Sequence, residues 1–166
     1  MDETILELQG AAERGDAVSQ SKLGTLCFLG KGVAQDYQQA LFWFQKAAGQ
    51  GDAAAQIRLG YMYYEGKGIP QDHEQAAHWF QRAADQGDAA AQFNLGVLYD
   101  DGAGVPQDPV QAYFWMGLAA LQGNEEAARN REIIAKSMSF AQIAQTNERI
   151  RGWRPVRGSG GEGTHP

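Results

Sequence analysis

Apolar positions fall into short helical stripes that recur along the chain. Over 37–50 the residues Ala40, Trp43, Phe44, Ala47 and Ala48 are spaced three, one, three and one. That spacing predicts an amphipathic helix. The stripe returns 36 residues later as Ala76, Trp79, Phe80, Ala83 and Ala84, and once more as Ala112, Trp115, Met116, Ala119 and Ala120. A second helix precedes each stripe. Its constant positions are Gln20, Leu23 and Gly24, with Cys27, Tyr63 and Tyr99 in a nearly constant column. They lie at i, i+3, i+4 and i+7, one face of a helix.

The punctuation agrees with a two-helix unit. Asp16, Asp52 and Asp88 suit the N-cap of the first helix, helix A, because a carboxylate can accept from orphan amides of the first turn. Gly30, Gly66 and Gly102 suit its left-handed end. Gly-Val, Gly-Ile-Pro and Gly-Val-Pro steps then interrupt the helix. Asp36, Asp72 and Asp108 cap helix B, and Pro109 fits a first turn. Aligned without gaps, 15–50, 51–86 and 87–122 share sixteen identical columns. A fixed period of this length signals a stacked array. Gly24, Gly60 and Gly96 sit inside helix A, where each costs about 1 kcal/mol against alanine. Close approach of helix B must offset that cost, with Trp43, Trp79 and Trp115 as the expected rings.

The columns that differ most between copies lie on the other face of helix A. They are Ser21, Lys22, Thr25, Phe28 and Leu29 in the first copy and Ile57, Arg58, Tyr61, Tyr64 and Glu65 in the second. The third copy has Phe93, Asn94, Val97, Asp100 and Asp101. Constant columns serve the repeated packing; variable ones are released for recognition. Lys22, Thr25, Phe28, Arg58, Tyr61, Tyr64, Asn94, Val97 and Asp101 are therefore the candidate partner-binding residues. Tyr61 and Tyr64 are the expected anchors. Arg58 can clamp a carboxylate, and the Asn94 amide can bond a ligand backbone in two directions. The competing reading has Phe28, Ile57 and Phe93 packed between units, and Arg58, Asn94 and Asp101 as plain solvated surface.

The pattern GDAxAQxxLGxxYxxGxGVPQDxxxAxxWxxxAA resembles the Sel1-like repeat family, α/α solenoids related to tetratricopeptide arrays. The resemblance implies an all-α, right-handed superhelical solenoid of helix-turn-helix repeats. It also implies a non-catalytic interaction scaffold that holds a protein or peptide segment on a concave surface lined by the first helices. A bacterial regulatory, envelope-stress or secretion-linked setting follows from the resemblance alone. One solenoid domain is expected over 1–155. Residues 4–14 are its truncated leading half-repeat, with Glu7 where the tryptophan would stand. Residues 123–155 form capping helices, with a capping box at Ser139–Gln142, and 156–166 a disordered tail.

Composition narrows the function further. The net charge of −6 over 166 residues argues against a general nucleic-acid surface. No apolar run reaches the ~20 residues of a membrane helix. MDETILEL has acids where a secretory signal carries positive charge. Cys27 is the only cysteine, so no disulfide forms within the chain and no zinc cluster is available. A reducing, cytoplasmic compartment fits, with a periplasmic or secreted one if a signal was removed. A monomer with no cofactor and no metal is expected.

Several local motifs have bland explanations. Ser19-Gln20-Ser21-Lys22 matches the S-x-x-K nucleophile of serine β-lactamases, but S-D-N and K-T-G companions are missing and Ser19 occupies an alanine column. Gly66-Lys67-Gly68 reads as a turn rather than a phosphate loop. His73 and His78 are ill-spaced to share one helix face, and Asp100-Asp101 reads as a solvated helix end. Arg149, Arg151, Arg154 and Arg157 put positive charge at the end of the last helix; the sharper reading is a second docking surface for an acidic partner. Trp153 is expected to fold back on the final helices. The alternatives to an adaptor are an immunity protein against a secreted toxin, a Ser19 hydrolase and a self-associating structural protein.

Overall fold

The computed structural model describes residues 3–156. Every regular element among them is an α-helix. They run α1 (Glu3–Glu13), α2 (Ala17–Leu29), α3 (Tyr37–Gly49), α4 (Ala53–Glu65), α5 (His73–Asp85), α6 (Ala89–Asp101), α7 (Pro109–Leu121), α8 (Glu125–Ala135) and α9 (Phe140–Gly152). The fold class is an all-α helical-repeat solenoid. Residues up to Asp72 form one compact unit and His73–Val156 another. The tail expected to be disordered falls almost wholly on 157–166, outside the described residues.

In the first unit, α2 packs on α1 and α3, and α3 on α4. Asp16 Oδ2 accepts from the Ser19 amide at 2.8 Å, and Asp52 Oδ1 from Ala55 at 2.7 Å. Asp36 takes two amides of α3, those of Gln38 and Gln39. Gly30 and Gly66 end α2 and α4 with φ of 66° and 69°, a left-handed conformation that glycine adopts without strain. α3 buries Ala40, Trp43, Phe44, Ala47 and Ala48, the expected stripe.

The interior glycine works differently from the expectation. A Cβ on Gly24 would lie 2.8 Å from ring carbons of Phe44, not against Trp43. A ring carbon belongs about 3.5–4.0 Å away, so glycine alone lets the two helices close here. In the second unit a Cβ on Gly96 would meet Met116 at 3.0 Å. Met116 holds the Phe44 column, so the contact is preserved with a flexible partner.

The second glycine of each loop has a separate task. Gly68 has φ of 75°, and a Cβ there would lie 2.5 Å from Tyr37 Cβ. In the second unit a Cβ on Gly104, at φ of 72°, would strike the His73 carbonyl and the Glu74 nitrogen. Each loop therefore rests on the start of an earlier helix B. The loops also close on themselves. Gln35, Gln71 and Gln107 donate to the carbonyls of Phe28, Tyr64 and Asp100, seven residues back, satisfying acceptors that the ends of α2, α4 and α6 leave open.

The constant glutamines of helix A are buried polar ties. Gln20, Gln56 and Gln92 each donate to a carbonyl eight residues back, at Ala12, Ala48 and Ala84. Gln20 Oε1 accepts from Gln50 at 2.8 Å, and Gln92 Oε1 from Gln122 at 2.9 Å. Leaving such an amide unpaired would cost about 1–3 kcal/mol, so every copy keeps the bond to the carbonyl eight residues back.

In the second unit α7 is the central element. It packs on α6, α8 and α9, and α5 packs on α6. Besides Ala112, Trp115, Met116 and Ala119 of the repeat stripe it buries Tyr113, Phe114, Gly117 and Leu118. Gly117 stands where earlier copies have Gln45 and Gln81. A Cβ there would strike Ile150 Cδ1 of α9. α9 opens with the expected capping box at Ser139 and Gln142. After α9 the chain turns back on α5: the Val156 amide donates to the Asp85 carbonyl at 2.7 Å, and Trp153 and Pro155 come within 4 Å of a Cβ built on Gly87.

Candidate partner-binding surface

The candidate surface is built on helix A because its two faces have different duties. Gln20, Leu23, Gly24 and Cys27 of α2 are buried, as are Gln56, Leu59 and Gly60 of α4 and Gln92, Leu95 and Gly96 of α6. A rotation of about 100° per residue then carries the intervening positions outward. Lys22 and Arg58 are exposed, and Asn94 is half-exposed. Thr25, Tyr61 and Val97 are half-buried in the next column, as are Phe28, Tyr64 and Asp100 in the one after. Leu29, Glu65 and Asp101 are exposed.

One position departs from this division. Ser21, grouped with the variable columns, is only 7% exposed, and Ile57 and Phe93 in its column are half-buried. The column sits at the seam between the two faces, so it varies yet still packs.

The exposed residues differ in what they have free. Thr25 donates its hydroxyl to the Ser21 carbonyl at 3.0 Å. Asn94 donates through Nδ2 to the Ala90 carbonyl at 2.8 Å, so its amide does not face a ligand with both donors open. The Phe28 ring lies 5.2 Å from that of Tyr37, and the Lys67 ammonium sits 5.8 Å from the Phe28 ring. Lys67 also pairs with Glu65 at 2.5 Å. The Gly66-Lys67-Gly68 segment is thus a loop that seals an aromatic pair. Val97 and Asp101 border a cavity of about 180 Å³, together with Asp100, Met116, Asn130 and Ile133. Burial pushes the Asp100 carboxyl above its ordinary value, and the Asp101 charge pushes it the same way.

Ser19 stands in the column of Ala55 and Ala91, and its amide serves the Asp16 cap. Burial raises the Cys27 thiol above its usual range. Among the described residues no three His, Cys, Asp or Glu side chains gather as a metal site, and no helix is long and apolar enough to cross a membrane. Of the arginine cluster, Arg149 lies over the Phe114 ring at 4.6 Å, Arg151 and Arg154 are exposed, and Arg157 lies outside the described residues. Sequence reasoning missed Arg131, which donates to Tyr113 Oη at 2.9 Å and to Asn147 Oδ1 at 3.0 Å, tying α8 to α7 and α9.

Two-helix repeats with a constant packed face and a changing outer face define a class, the helical-repeat scaffolds. The Sel1 repeat model matches residues 17–52, 53–88 and 89–124, and the chain belongs to the Sel1 repeat family. That register is displaced by two residues from the Gly-Asp steps, with the same period. Among solved structures, a Sel1 repeat protein from Oxalobacter formigenes is 36% identical, with a TM-score of 0.73; the match covers 79% of this chain and 98% of that one. The protein c5321, a protective antigen of uropathogenic Escherichia coli strains with an SLR fold, is 38% identical, with a TM-score of 0.78. That match covers 87% of this chain but only 31% of the antigen, so the chain spans about a third of its length. Helicobacter pylori cysteine rich protein B shares the fold at 24% identity and a TM-score of 0.59, over 74% of this chain and 92% of that one. No curated protein matches in a sequence search. Sel1 repeat proteins are in general non-catalytic scaffolds for protein–protein interaction.

Proposed function

We propose that this chain is a non-catalytic adaptor that takes a protein or peptide segment of a partner on the outward face of its A helices. Its setting is bacterial regulation, envelope stress or secretion. On α2 and α4 the recognising positions are Lys22, Thr25, Arg58, Tyr61 and Tyr64, with Phe28 as an apolar edge. Asn94, Val97 and Asp101 hold the same columns on α6. The observation that carries the reading is the match between variability and exposure. On helix A the shared positions Gln20, Leu23 and Gly24 and their equivalents are buried, while the changing positions Lys22 and Arg58 stand in solvent and Thr25, Tyr61 and Tyr64 are half-exposed. A folded scaffold holds these side chains at set spacing before the partner arrives, so little of the binding energy goes into ordering it.

Arg58→Glu combined with Tyr61→Ala is expected to abolish capture of the partner from bacterial lysate while leaving helicity and melting nearly unchanged. Undiminished capture by the double variant overturns the assignment of this face. Turnover of a chromogenic β-lactam by the chain, lost in Ser19→Ala, would instead establish the hydrolase.

A further inference from the structure

The end of the second unit holds a groove that the adaptor reading does not use. Its cavity, about 400 Å³, lies between the end of α7, the end of α9 and the segment that returns over Gly87. Leu118 and Ile150 form a buried floor, and Trp153 is a half-buried wall. Leu121 stands at the rim, 70% exposed. Earlier copies have Gly49 and Asp85 at the Leu121 position, so this column carries a large apolar side chain only in the last copy. Gln122, also on the lining, has its amide occupied by the Gly87 carbonyl and Gln92 Oε1.

The charge on this groove is one-signed. Arg151 and Arg154 line it, and no carboxylate does. Among the described residues neither guanidinium has a carboxylate partner; Arg154 Nη1 donates only to the carbonyls of Arg151 and Trp153. Two such cations on a chain of net charge −6 mark a local reversal of sign. An apolar floor with an aromatic wall and an arginine rim has the composition of an interface centre.

The geometry points to a second docking surface, and we propose that it takes an acidic segment of a partner protein: one bulky apolar side chain seated over Leu118 and Ile150, flanked by carboxylates that pair with Arg151 and Arg154. Complementary charge is what selects this occupant. A second copy of the chain is itself strongly acidic but would bury Leu121 against a surface of its own, and that is a separate outcome of the test. This surface shares no residue with the α2 and α4 face.

The probe is a fluorescein-labelled synthetic peptide, Glu-Glu-Phe-Leu-Glu-Glu, titrated against the full chain by fluorescence polarisation. The matched peptide has every Glu replaced by Gln. The acidic peptide is expected to bind, and to bind more weakly as salt rises. Arg151→Glu with Arg154→Glu is expected to weaken it by about tenfold or more, with melting unchanged because both side chains are exposed. Leu121→Asp is expected to weaken it as well, whereas Arg58→Glu leaves it intact. Failure of the acidic peptide to bind the unaltered chain overturns the proposal. Equal binding of the Gln peptide, or full binding by a folded double variant, does the same. Concentration-dependent self-association in sedimentation that disappears in Leu121→Asp assigns the groove to a second copy and overturns it too.

Discussion

Helices α3 and α7 occupy equivalent places in the first and third repeats, yet they are buried differently. α3 hides one stripe of five residues and leaves Gln45, Lys46 and Gly49 outside. α7 hides eight, because α9 and α8 cover the side that α3 leaves open. The substitutions follow the geometry. Gln45 gives way to Gly117, which admits Ile150, and Lys46 gives way to buried Leu118. A repeat unit is thus two designs in one. The stripe that faces helix A is common property, while the opposite side is written for whatever lies next to it. Leu121 is the exception on α7, apolar yet left in solvent, and that exception is what separates the groove at the end of the unit from ordinary packing.

The largest effect should come from the shared stripe. Phe44 is fully buried against Gly24, so Phe44→Ala is expected to destabilise the protein by about 3–5 kcal/mol in chemical denaturation. Ile150→Ala tests the other half of the comparison. It empties the notch at Gly117 and should cost about 2–5 kcal/mol. A silent Ile150→Ala would mean that α9 adds nothing to α7, and the contrast with α3 would collapse.

The glycine pair sharpens the comparison at smaller scale. Gly24→Ala drives a methyl into an aromatic ring that cannot yield, at an expected cost of about 1–3 kcal/mol. Gly96→Ala meets the end of a methionine, which can rotate away. The alanine's better helix propensity, about 1 kcal/mol, should offset most of the strain there. Equal melting temperatures for the two variants would show that the partner's flexibility is irrelevant.

The smallest effect concerns Asp85, whose carboxyl is pushed up by burial, against a lowering contribution from the Gln81 amide 2.8 Å away. A raised native value means that the folded state holds the proton more tightly than the unfolded one. Stability is therefore lost as pH rises from the unfolded value through the folded value, and the cost is fully present at neutral pH. Asp85→Asn should raise the melting temperature slightly at pH 7. The gain should vanish below the usual carboxylate value of about 3.9. A lower melting temperature at pH 7 would contradict this.

Much of the architecture was legible because it was written three times. The caps at Asp16, Asp36, Asp52, Asp88 and Asp108, the left-handed glycines and the buried stripe of helix B are local or periodic. Backbone satisfaction and amphipathic spacing dictate them within a few residues. The identity of the glycine's partner was not legible. Trp43 and Phe44 are adjacent on one stripe, and only the angle at which two helices meet decides which ring arrives. The inward turn of Ser21 was hidden for the same reason, since a column at the seam of two faces belongs to neither by spacing. Of the candidate surface, exposure at Lys22 and Arg58 followed from helical phase. The occupied amide of Asn94 and the tilted ring contact of Phe28 with Tyr37 depended on neighbours that spacing does not name.

The sequence by itself determined that the chain would be helical, repeating every 36 residues, with one constant face and one changing face, because hydrogen bonding and burial act at short range and were repeated in each copy. Only the tertiary structure decided which side chains meet. It brought Phe44 to Gly24, Ile150 to Gly117, and Trp153 and Arg154 beside an exposed Leu121. Such contacts join residues distant in the chain and follow from helix crossing and close packing, which no single period encodes.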